Sequence, residues 1–119
     1  MNTRRFLFLL RRPPQGGVID SELFDQMLTF AAFDQAITVL FVDDGVYRLN
    51  RETGGPVPTM EPAGLLDLLA FYDIESVWVE EESLVQRDMS LDDACLSVRT
   101  MPREAVAGLL ARHDVILGD

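Results

Sequence analysis

Residues Ile37–Val42 form a run of apolar and β-branched side chains that Asp43, Asp44 and Gly45 end abruptly. A strand with no polar alternation is covered on both faces, as strands are inside a parallel sheet. Parallel neighbours need long crossover connections, so this run commits the chain to an α/β arrangement. Open α/β sheets bind their partners along the edge formed by the strands' carboxyl ends. The carboxylates and turn at Asp43–Gly45 therefore mark where function is expected.

Strand-like and helix-like patterns alternate along the rest of the chain. Phe6–Leu10 reads as a first strand, and Asp20 or Ser21 can cap a helix with Phe24, Met27, Leu28 and Ala31 on one stripe. A polar loop, Asn50–Thr59, contains Gly54, Gly55, Pro56 and Pro58. Pro62 suits the first turn of a second helix with Leu65, Leu68, Leu69 and Tyr72 on its apolar face. Ser76–Val79 is the third strand, Glu80–Glu82 begin a short helix, and Ala94–Val98 is a fourth strand. Pro102 opens a last helix with Val106, Leu109 and Leu110 inward, and Val115–Leu117 closes as a fifth strand. The expected fold is a three-layer α/β/α domain over residues 1–119, with a mostly parallel five-stranded sheet.

Composition narrows the function. At 119 residues and 48% hydrophobic, the chain is sized for one cored domain and is not a disordered one. No apolar stretch approaches the roughly 18 residues of a membrane span. Thr3-Arg4-Arg5-Phe6-Leu7 resembles a twin-arginine export signal, but its apolar stretch is shorter than the roughly 7–15 residues such signals need. A lone cysteine fits a reducing compartment, and a cytoplasmic location is expected. The net charge is −10, and all ten basic residues are arginines. Without lysine, a P-loop grip of the usual type and Schiff-base chemistry are excluded. The acidic balance argues against direct nucleic-acid binding.

Few residues are candidates for chemistry. Cys95 follows Asp92 and Asp93, whose charge disfavours a thiolate, so a buried, inert thiol is expected. Asp43 and Asp44 leave three readings open: a turn cap with Gly45 supplying unusual backbone angles, a partner contact, or a metal or acid/base pair. Spacing identifies no further metal ligands, and no cofactor is expected. Phe33 and Tyr47 flank the same segment and read as core or as interface anchors. His113, just past a helix end, can satisfy terminal carbonyls. Glu80–Glu82 read as a solvated helix start. Arg11 and Arg12, after the first strand, pair with carboxylates or hold an anion at the sheet edge.

Ala32-Phe33-Asp34-Gln35, the following strand, and Asp43-Asp44-Gly45-Val46-Tyr47 together resemble the signature of the TusC/DsrF subunits of DsrE-like sulfur-relay proteins. Arg12-Pro13-Pro14-Gln15-Gly16, Tyr72-Asp73-Ile74-Glu75, Glu82-Ser83-Leu84 and His113-Asp114-Val115-Ile116-Leu117 add further matches in order. Gln86-Arg87-Asp88-Met89 departs from the family's usual Arg-Gly pattern.

The resemblance implies the same three-layer fold and a non-catalytic subunit of a sulfurtransferase complex. Its implied partners are TusB/DsrH-like and TusD/DsrE-like sister subunits in a heterohexamer, with a TusE/DsrC-like acceptor. In the TusD/DsrE-like sister, the sulfur-accepting cysteine ends the third strand. Here that stretch reads Trp78-Val79-Glu80-Glu81-Glu82. The implied pathway is tRNA wobble 2-thiouridine synthesis or, alternatively, sulfur oxidation. Phe33, Asp43, Asp44, Gly45, Val46 and Tyr47 are the expected interface or turn residues. A rival reading is a free-standing small α/β ligand-binding protein or enzyme using Asp43, Asp44 and Arg12. A third is a homo-oligomeric DsrE-like protein.

Overall fold

The computed structural model describes residues 4–15, 17–33, 35–49, 65–91 and 98–119. Asn50–Thr59, Pro62, Cys95 and nearly all of the expected strand Ala94–Val98 lie outside them. Among the described residues, five strands form one sheet: β1 (Arg5–Leu10), β2 (Ala36–Phe41), β3 (Ser76–Glu80), β4 (Arg99–Met101) and β5 (Val115–Gly118). Their order is β4-β3-β2-β1-β5, and every neighbouring pair is parallel.

That order decides where the helices lie. From β1 through β3 the chain steps in one direction, so right-handed crossovers place α1 (Gly17–Ala32) and α2 (Leu65–Phe71) on one face. From β4 it returns across the sheet to β5, which puts α4 (Arg103–Ala111) on the other. The two cores follow this division. Phe6, Phe8, Leu10, Ile37, Val39 and Phe41 pack with Phe24 and Met27 of α1 and with Leu68 and Leu69 of α2. On the opposite face Leu7, Leu40, Val42 and Met101 pack with Leu109 of α4. Alternation along each strand sends successive side chains to the two cores. This is the three-layer architecture that the alternating strand and helix patterns implied, with Ile37–Val42 covered on both faces.

Local differences have clear causes. Helix α1 starts at Gly17, so Asp20 lies in its first turn and accepts the Gln15 amide at 3.0 Å. Tyr72 falls beyond α2 in the following turn and is exposed, because the helix ends at Phe71. The fourth strand observed is Arg99–Met101. His113 meets its expectation: Nδ1 donates to the Leu109 carbonyl at 2.7 Å, and Nε2 lies 2.9 Å from Thr38 Oγ1 on β2. Both ring nitrogens are thereby engaged, and the helix end is tied to the sheet.

Candidate functional site

Strand β3 runs directly into α3 (Glu81–Gln86), whose Leu84 joins the α1-side core, whereas β4 leads through Pro102 into α4 on the opposite face. Where connections leave neighbouring strands toward opposite faces, at the strands' carboxyl ends, such sheets usually bind their ligands and partners. Glu80, the last residue of β3, stands at this point, opposite Met101 in register.

Glu80 is buried. Its Oε1 accepts the Ser83 hydroxyl at 2.6 Å and Arg103 Nη2 at 3.0 Å. Burial by itself pushes the pKa of this carboxyl up, but hydrogen bonds from Arg103 and Ser83 and the charges of Arg103 and Arg87 outweigh it. The net result is a pKa below the ordinary value of 4.5. Glu82 caps a different helix: both of its carboxylate oxygens accept the Arg103 amide, at 2.9 and 3.0 Å, at the start of α4. Of the three consecutive acids, Glu81 is the exposed one. The expected solvated helix start thus contains two carboxylates with internal structural partners.

The turn after β2 joins the same network. Asp43–Leu49 form a 3-10 segment in which Asp43 has a φ of 50°, a left-handed conformation that Asp tolerates better than most residues. Its amide donates to Ser83 Oγ at 2.8 Å, so the fully buried serine links the ends of β2 and β3. Asp44 pairs with Arg87 at 3.0 Å, and Arg87 also donates to the Ser83 carbonyl at 3.2 Å. Gly45 serves a purpose other than unusual backbone angles: a Cβ there would meet the Leu10 carbonyl oxygen at 1.8 Å. Only glycine lets the segment lie this close to β1. Val46 is fully buried in the α1-side core, and Tyr47 is half-buried.

Phe33 does not share this edge. It is exposed at the far end of α1, before β2 begins, so the structure separates it from Tyr47 by the length of the strand. Asp43 and Asp44 remain exposed at the carboxyl edge, with Asp44 committed to Arg87. Among the described residues, no group of three or more His, Cys, Asp or Glu side chains is placed to hold a metal.

Sequence reasoning missed the most buried charge at this edge. Arg48 bonds Asp20 at 3.2 Å and Asp119 at 3.3 Å, with its side chain 2% exposed. Its Nε donates to the Arg12 carbonyl, its Nη2 to the Pro13 carbonyl, and its guanidinium lies 6.0 Å from the Phe24 ring centre. The amides of Arg11 and Arg12 are held by Asp119, while both residues are exposed. The available signal was an arginine amid apolar residues, Val46-Tyr47-Arg48-Leu49, which burial demands be paired.

The DsrE/DsrF-like family model matches residues 4–117. A TusC homolog from Vibrio parahaemolyticus is 36% identical over 112 residues, covering 92% of this chain and 94% of that protein. Protein TusC from Escherichia coli O8 is 30% identical over 116 residues, covering 96% and 98% respectively. The intracellular sulfur oxidation protein DsrF of Allochromatium vinosum is 35% identical over 92 residues, covering 76% of this chain and 67% of that protein. The crystal structure of the ychN protein from E. coli matches with a TM-score of 0.63 at 15% identity, covering 98% of this chain and all of that one, a likeness of fold.

Proposed function

This chain belongs to the DsrE/DsrF-like family, and from that premise we propose that it is a non-catalytic, structural subunit of a TusBCD/DsrEFH-like sulfur-relay complex. Relatives named TusC and DsrF support a sulfur-relay role. One observation carries the non-catalytic reading. At the end of β3, where the reactive cysteine of the sister subunit would stand, this chain has Glu80, with its carboxylate engaged by Ser83 and Arg103. A carboxylate so held is neither a sulfur nucleophile nor free to receive a persulfide.

In this reading the chain works by position. The carboxyl edge of β2 and β3, made rigid by Ser83 and Gly45, supports the thiol-bearing sister across an interface, because misplacement of a nucleophile lowers its rate steeply. Asp43, Asp44 and Tyr47 supply contacts there, Gly45 and Val46 hold the turn from inside, and Phe33 supplies a contact at the opposite end. TusB/DsrH-like and TusD/DsrE-like sisters complete a cytoplasmic heterohexamer that hands sulfur to a TusE/DsrC-like acceptor. The product served is the 2-thiouridine of tRNA wobble positions.

Co-expression with the two sister types, followed by size exclusion and mass spectrometry, tests the assembly. The expected outcome is one complex with equal amounts of three chains, in which a labelled persulfide resides on the sister. Sulfur accepted on Cys95 by the isolated chain, at the rate of the complex, would overturn the reading. The likeness to DsrF favours a second version in which the complex serves sulfur oxidation. Restoration of 2-thiouridine in cells lacking their own TusC supports the tRNA version, and its absence with an intact complex supports the other.

A further inference from the structure

We propose that the turn after β1 is a carboxylate-binding site, occupied in this structure by the chain's own Asp119, that exchanges this occupant for a free monocarboxylate. Three donors converge on one side chain. The Arg11 amide donates to Asp119 Oδ1 at 2.7 Å, and the Arg12 amide spans both carboxylate oxygens at 3.3 Å. Arg48 Nη2 reaches Oδ2 at 3.3 Å. Two successive amides beside a guanidinium make an anion-binding concavity.

The donors are fixed independently of Asp119. The amides belong to the backbone continuing from β1, and Arg48 is held in place by the carbonyls of Arg12 and Pro13 and by Asp20. Among the described residues, Arg48 and Asp20 carry opposite charges, and the site as it stands holds one further carboxylate side chain. A divalent anion would bring an excess that burial penalises. The ligand class is therefore a monoanionic, planar carboxylate. Exchange frees the residue that follows β5, beside β1 at the same carboxyl edge as Glu80. This inference does not rest on the sulfur-relay reading.

The test uses the full chain with Asp119→Ala and formate as probe, against sodium chloride at matched ionic strength. Thermal unfolding and the amide resonances of Arg11 and Arg12 are followed together. The substitution is expected to lower the unfolding midpoint, and formate to restore it saturably while shifting both amides. Wild type should need about tenfold more formate, because the tethered Asp119 competes at a high effective concentration. Sulfate should act more weakly than formate. If Asp119→Ala does not fold, Asp119→Asn keeps an uncharged acceptor in place and should still exchange with formate at lower concentration than wild type. A formate response no larger than that of chloride, or equal responses in variant and wild type, would overturn the proposal.

Discussion

At Gly45 the absence of one methyl group fixes how the edge is built. Its backbone lies so close to the Leu10 carbonyl that a Cβ cannot be placed without moving β1 or the 3-10 segment. Gly45→Ala is expected to destabilise the fold by on the order of 4 kcal/mol or more. Urea unfolding measures this, and a loss below about 1 kcal/mol would mean that the segment shifts freely. Glu80 allows a second prediction. A carboxyl with a lowered folded-state pKa contributes stability that is present above the ordinary 4.5 and is lost as pH falls through the lowered value. Wild type should therefore exceed Glu80→Gln in unfolding midpoint at pH 7, with the two curves converging on acidification. A gap that stays constant down to pH 3 would assign the difference to shape and not to charge. The sequence made the turn legible, since Asp-Asp-Gly after an apolar run is turn chemistry. It did not reveal which residue takes the left-handed angle. Nor did it give Glu80 its partner, because Arg103 is remote along the chain and no periodicity links the two.

Elements were easier to read than their joints. The apolar runs located β1, β2 and β3 to within a residue or two, and Pro102 marked the start of α4. The start of α1 was misjudged because Asp20 looks like a cap, whereas its carboxylate reaches back to Gln15 and across to Arg48. Such tertiary uses of a polar residue leave no local trace. Helix α4 is the one described helix whose side chains enter the smaller core, so substitutions along it should separate cleanly. Leu109 is 4% exposed against Leu7, Leu40, Val42 and Met101, and Leu109→Ala is expected to cost about 2–5 kcal/mol. Gly108 has open space where a Cβ would go, so Gly108→Ala is expected to stabilise by about 0.5–1 kcal/mol through helix propensity. Equal effects in chemical denaturation would contradict the assigned orientation of the helix.

For the molecule as a whole, alternation of strands and helices implied a parallel sheet but not its order, which depends on a crossover whose direction no local pattern encodes. That order seats β5 against β1, and the Arg5 amide bonds Asp114 across 109 positions of sequence. During synthesis on the ribosome, the outer flank of β1 accordingly waits with its backbone donors and acceptors open until residues 115–118 have emerged. An interior strand of the finished sheet is thus an unguarded edge for most of its early life. Nascent copies on one polysome are most prone to pair wrongly there, before the last strand arrives to close it.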